Sequence, residues 1–321
     1  MLTRALFALL LTSGPAAALE LAVPLDCTPG TDCFIQQYVD WDKGPGASDY
    51  ACGAETYDGH EGTDIRLRTT ADVERGVAVK AAADGVVIGM RDGEQDHLVR
   101  TDADRAAIKD RECGNGVLLD HGDGWHTQYC HMRKGSVAVK KGDHVATGAK
   151  LGEVGYSGDA AFAHMHLQVS KDDKVVDPFL ADDSSACGKD GPSLWSASAK
   201  SAFAYKQGEL IGFGIIDRPP KLEDLEDGAH LRPADPDTPM VAYLWAINLQ
   251  KGDVVTIELS KDGTSLSSNS DTLDHSKAQM MLFAGKKAPA GGWPKGTYTA
   301  AVTVMRGGQK AISETRTLEL K

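Results

Sequence analysis

The sequence has no C-x-x-C knuckle, so its six cysteines do not form a zinc ribbon, which needs paired short spacings of that kind. It has no H-E-x-x-H either. The nearest approach, His60-Glu61-Gly62-Thr63-Asp64, ends in aspartate, and Gly59, Gly62 and Thr63 argue against the helix on which that motif works. Past the first twenty or so residues, no run nears the roughly 18 uninterrupted apolar residues of a membrane helix, so no membrane span is expected. Positive charge is scarce as well. Lys and Arg number 34 against 46 Asp and Glu, a net charge of -12, which argues against nucleic-acid partners and tight attachment to anionic surfaces.

The chain opens with basic Arg4, an apolar run from Ala5 to Leu11 and the small residues Ala16-Ala17-Ala18. That grammar reads as a cleaved secretory signal over residues 1–18, placing the protein in the periplasm or outside the cell. All the cysteines come after it and all precede residue 190. An even count in an exported chain favours disulfides. Spacing suggests Cys27 with Cys33 and Cys113 with Cys130 across a hairpin, which leaves Cys52 for Cys187. A length of 321 residues exceeds one small core and implies two domains.

Residues 19–50 are rich in Pro and Gly and read as a cysteine-containing lead-in wrapped on the domain after it. From Tyr57 a glycine-punctuated turn runs into an alternating strand. Val77–Ala83 and Val86–Ile88, separated by Asp84-Gly85, carry a hairpin signal. Residues 91–111 are charged, with a short helix expected around Ala103 to Lys109. Gly114–Met132 reads as strand, Gly-Asp-Gly turn, strand, with His121 and His126 solvated beside the turn. Residues 135–155 add short strands with glycine every few positions. Their Val139-x-x-Gly142-Asp143-x-Val145 pattern also occurs in biotinyl and lipoyl carriers, but Lys80 lies on no exposed hairpin tip.

Ala161–Val169 is the stretch with the most chemistry. In a strand, His164 and His166 project from one face while Met165 and Leu167 pack behind. Two such imidazoles could be two metal ligands, one ligand and one acid/base group, or a solvated pair. A turn could bring His60 and Asp64 together, and imidazole plus carboxylate is a sound zinc pair. Alternation along the second hairpin strand puts Thr127, Tyr129 and His131 on one face and Gln128 and Cys130 on the other. Cys130 is thereby expected in a structural disulfide and not in a metal site, and Tyr129 in packing.

His60-x-x-x-Asp64, Gly114-Asn115-x-Val117 leading to Thr127-x-Tyr129-x-His131, the Val139–Val145 run and His164-x-His166 together resemble, in order and spacing, the lysostaphin-type (LytM-like) zinc metallopeptidases. The likeness covers about residues 57 to 180. It implies His60, Asp64 and His166 as ligands of one Zn2+ per chain, with His131 and His164 as catalytic histidines. No glutamate base belongs to the pattern, so proton transfer falls to the histidines. Two departures, Cys130 and Met132 around His131 and the cysteine-rich lead-in, bear on substrate choice and touch no ligand.

After Cys187 the composition shifts. Alternating runs such as Val241–Ile247, Val254–Leu259 and Tyr298–Val304, punctuated by Lys251-Gly252-Asp253, Lys261-Asp262-Gly263 and Arg306-Gly307-Gly308, read as an immunoglobulin-like β-sandwich. Trp245, Trp293 and Tyr298 are expected in its core, and His230 and His275 as isolated surface residues. The expected class is therefore all-β: a LytM-like catalytic β-sheet domain over 51–188, a linker over 189–208 and a sandwich over 209–321. The resemblance implies a zinc endopeptidase acting on peptidoglycan cross-links or stem peptides, and the chain is expected to be exported and monomeric. The rivals are a non-catalytic relative that activates a wall amidase, and a zinc peptidase for secreted protein substrates.

Overall fold

The computed structural model describes residues 19–182, 186–228 and 231–321. The expected signal over 1–18 and His230 lie outside the described residues. The fold is all-β in its regular structure, with four short helices among the described residues.

The first part runs β1 (Cys33–Gln37), β2 (Thr63–Leu67), α1 (Thr70–Val73), β3 (Ala78–Lys80), β4 (Gly85–Arg91), α2 (Asp102–Ala107), β5 (Asn115–Asp120), β6 (Trp125–Met132), β7 (His144–Val145), β8 (Lys150–Glu153), β9 (His164–Lys171), β10 (Lys174–Val175) and α3 (Ala197–Ala202). One antiparallel sheet has the order β1-β2-β9-β6-β5-β4-β7, with β10 hairpinned onto β9, and β3 and β8 form a separate pair. Period-two burial explains its faces. Ile65, Leu67, Met165, Leu167 and Tyr129 are fully buried in the first core, while Asp64, Arg66, His164 and His166 take the other face.

Several expectations need correction. The Asp84-Gly85 hairpin does not form: β3 pairs with β8, and β4 pairs with β5 and β7. The buried Ala81–Ala83 segment instead crosses between the two sheets, held by Ala149 and Gly148 backbone. The lead-in contributes β1, an integral strand beside β2. Residues 189–208, expected as a linker, hold α3 and put Trp195, Ala199 and Phe203 into the first core. His121 is no free surface group; its ring bonds the Asp84 carbonyl at 2.6 Å and the Thr127 hydroxyl at 2.7 Å.

The three disulfides are the expected pairs, Cys27–Cys33 and Cys113–Cys130 from spacing and Cys52–Cys187 as the remainder. Cys52–Cys187 spans a sequence separation of 135 and ties the start of the first part to its end.

The second part contains β11 (Glu209–Ile216), α4 (Leu222–Glu226), β12 (Met240–Leu249), β13 (Val254–Lys261), β14 (Thr264–Thr272), β15 (Lys277–Lys286), β16 (Gly296–Arg306) and β17 (Gln309–Leu320). Sheets β11-β12-β15 and β14-β13-β16-β17 share one core through Leu244, Ile257, Val302 and Tyr298. This is a two-sheet sandwich. Its fourth strand lies beside the third, where the constant-type immunoglobulin arrangement sets that strand on the opposite sheet. Trp245, Trp293 and Tyr298 are buried, at 2%, 8% and 0% exposure, so they pack and line no groove. His275 is exposed beside Asp274. A third, small cluster, with Phe34 of β1 against Ile211, Trp245 and Ile247, joins the sandwich to the first sheet.

Candidate metal centre

Register assembles most of the site. Asp64 on β2 faces His166 on β9, and Arg66 faces His164. His60 comes from the turn before β2, where the Gly59 N–H donates to Asp40 Oδ2 at 2.9 Å and the Asp40 N–H to the His60 carbonyl at 2.8 Å. The lead-in therefore holds the His60 turn in place.

The His60 Nδ1 lies 2.7 Å from the Tyr38 carbonyl. A carbonyl only accepts, so Nδ1 carries the proton and Nε2 turns its lone pair inward. That Nε2 is 3.2 Å from Asp64 Oδ1 and 3.2 Å from His166 Nδ1, and the latter two are 2.8 Å apart. The three ligand atoms lie within 4.8 Å of one another. Gly62 leaves room for this convergence, because a Cβ there would sit 2.5 Å from His166 Nε2 and 2.7 Å from the Leu167 carbonyl. Two nitrogens and one carboxylate oxygen fit zinc, and three protein ligands match an open catalytic position and not a closed structural one.

His131 reaches the same centre by a route that strict alternation does not allow. Cys130, not His131, stands opposite His166 in the β6–β9 register, so Cys130 shares the face of the site and alternation turns His131 away. A one-residue bulge against β5, between the Asn115↔Met132 and Val117↔Tyr129 pairs, changes this. His131 sits in it with φ +61°, its N–H donating to the Cys113 carbonyl at 2.8 Å. The ring thereby lies 4.5 Å from the ring of His164 and 6.0 Å from that of His166. Cys130 is kept from any metal by its disulfide to Cys113 and not by its orientation. Tyr129 packs, its hydroxyl accepting the Ala82 N–H at 2.8 Å.

Both remaining histidines are held by backbone. His131 Nδ1 donates to the Ser157 carbonyl at 2.8 Å and His164 Nδ1 to the Phe162 carbonyl at 2.9 Å, which leaves each Nε2 unprotonated in the neutral ring. Burial, then the neighbouring His164 and His166, holds His131 well below the ordinary histidine range. Burial likewise lowers His164, against the pull of Asp64. His60 behaves oppositely: burial opposes its charge, but the Asp64 carboxylate prevails and raises it. Asp64 is held well below the carboxylate range because His60 and His164 outweigh its own burial.

All five residues singled out from the sequence thus meet in one place. The partners that sequence reasoning missed are Tyr38, Ser157, Phe162 and Arg66. Tyr38 and Ser157 act through backbone oxygens and leave no sequence signal. Arg66 had one, since period two from Asp64 puts it on the site face.

One sheet face thus carries three groups that could hold a metal ion, His60, Asp64 and His166, with the His131 and His164 imidazoles beside them. The segment that builds it, residues 58–178, matches Peptidase family M23. Peptidoglycan DD-endopeptidase ShyA of Vibrio cholerae is 28% identical over 110 residues, 34% of this chain and 20% of its own length. ShyB of the same organism is 28% identical over 123 residues, 38% of this chain and 23% of its own. The match therefore spans about a fifth of the length of these curated relatives. Among solved structures, the catalytic domain of lysostaphin from Staphylococcus simulans is similar over 44% of this chain and 85% of its own, at 22% identity and a TM-score of 0.29.

Proposed function

We propose that the protein is an exported, monomeric zinc endopeptidase that cuts the cross-links or stem peptides of bacterial peptidoglycan. The observation that carries this is the convergence of His60 Nε2, Asp64 Oδ1 and His166 Nδ1 within 4.8 Å, inside a segment matching a peptidase family. The names of ShyA and ShyB support peptidoglycan peptide as substrate. The three disulfides support an oxidising compartment, periplasmic or extracellular.

His60, Asp64 and His166 would hold one zinc ion per chain. Bound there, zinc would polarise the scissile carbonyl and lower the pKa of a water towards 7. His131 and His164, with Nδ1 fixed on backbone carbonyls, present Nε2 to accept the proton of the attacking water and to return it to the leaving amine. Their lowered pKa values keep them neutral, and so able to accept, at pH 7. All five positions are filled, which disfavours a non-catalytic amidase activator.

Release of soluble fragments from dye-labelled peptidoglycan tests the reading. Chelation should stop release and added zinc restore it. Release that persists through chelation would remove zinc from the mechanism.

A further inference from the structure

The sandwich docks on the same face of the sheet that carries the histidines, at the next pair on that face after Asp64↔His166. Phe34 and Arg66 are paired across β1 and β2, and Arg66 is paired with His164 across β2 and β9. Arg66 is 1% exposed and makes no ion pair with a carboxylate among the described residues. Its guanidinium lies instead between two rings, 4.8 Å from Phe162 and 5.2 Å from Trp245 of β12. Its donors go to neutral oxygens: Gln36 Oε1 at 2.7 Å, Gln279 Oε1 at 2.9 Å, and the Leu67 and Arg68 carbonyls at 3.1 and 3.4 Å. The Phe162 ring continues the stack onto His164 at 4.5 Å, and the Phe162 carbonyl holds His164 Nδ1.

We propose that Trp245 of the sandwich is a positioning residue for His164, acting through the Arg66 guanidinium and the Phe162 ring. Two physical points favour this over packing alone. A buried guanidinium whose only carboxylate influence is Glu226, at longer range and without a direct ion pair, is costly, and cation–π contacts with desolvated rings are among the few interactions that offset it. Trp245 also buries its indole N–H without a hydrogen-bond partner among the described residues, a penalty that phenylalanine would avoid at a purely apolar position. The indole offers the strongest π face, which is what Arg66 uses. The sandwich thereby completes the support of a histidine it does not touch.

The proposal rests on reading His164 as catalytic, so the test has one arm that needs no turnover. The 15N-labelled imidazole signals of His164 are recorded in the zinc-loaded full chain for wild type, Trp245→Leu, Trp245→Phe and the control Trp293→Leu, which removes a sandwich-core ring outside the stack. Trp245→Leu should shift the His164 signals, Trp245→Phe should largely restore them, and Trp293→Leu should leave them in place. Arg66→Met breaks the same stack one link closer and should reproduce the shift if Trp245→Leu does not fold. On peptidoglycan peptide, Trp245→Leu should lower kcat about 10- to 100-fold, the scale of a small misplacement of a reacting group, with KM and zinc content little changed. Unmoved His164 signals in both Trp245→Leu and Arg66→Met, or the same shift in Trp293→Leu, would overturn the proposal. A wild type without turnover but with the predicted shifts would instead count against the catalytic reading alone.

Discussion

Glu55 should destabilise the protein increasingly as pH rises, and its amide should not. The side chain is 4% exposed, wedged where the end of the lead-in meets the sandwich. One oxygen accepts from Asn248 Nδ2 at 3.0 Å and the other has no hydrogen-bond partner among the described residues. Burial first, then the nearby Asp49 carboxylate, pushes its pKa to about 9. Linkage sets the sign. The unfolded chain ionises Glu55 near its ordinary value of 4.5, the folded chain keeps it protonated, and stability falls as pH rises between the two values. From pH 4.5 to 7 that loss amounts to about 3 kcal/mol at about 1.36 kcal/mol per unit. Glu55→Gln removes the slope while keeping an acceptor for Asn248. Denaturant unfolding at pH 5 and pH 8 should show the variant nearly equal at pH 5 and more stable at pH 8 by about 4 kcal/mol, three pH units at about 1.36 kcal/mol each. Equal destabilisation at both pH values would show that the carboxylate is ionised and supported in the folded state.

Gly62→Ala places a methyl 2.5 Å from the His166 ring and should weaken zinc binding roughly 10- to 100-fold, the scale for disturbing a ligand's support; competition with a chromogenic chelator measures it, and unchanged affinity would contradict the site. His131→Ala should abolish turnover while zinc content stays at one per chain, because its nearest partners are the Ser157 carbonyl and the ring of His164. Loss of zinc by that variant would mean the ligand and catalytic roles are divided wrongly.

Features set by short-range periodicity were legible in the sequence. Alternation put Met165 and Leu167 into the core and His164 and His166 on the opposite face, and cysteine spacing gave two disulfides, the third, Cys52–Cys187, following as the remainder. The Gly122-Asp123-Gly124 turn closed the β5–β6 hairpin as read. Where a non-local partner decides, local grammar misled. Asp84-Gly85 carries a hairpin signal, yet β3 pairs with the distant β8 and the chain between β3 and β4 runs through the buried Ala81–Ala83 segment. Alternation also failed at His131, where one positive φ turns the side chain back to the site. Arg66 was assigned no role because its partners, Trp245 and Gln279, lie in the other half of the chain.

The measurement that tests the central claim most directly is mass spectrometry of purified peptidoglycan after incubation with the zinc-loaded protein, beside an Asp64→Ala control. A zinc endopeptidase predicts new peptide termini with wild type and none with the control, and the fragment masses name the bond. Intact peptidoglycan, or the same termini from both proteins, would contradict it.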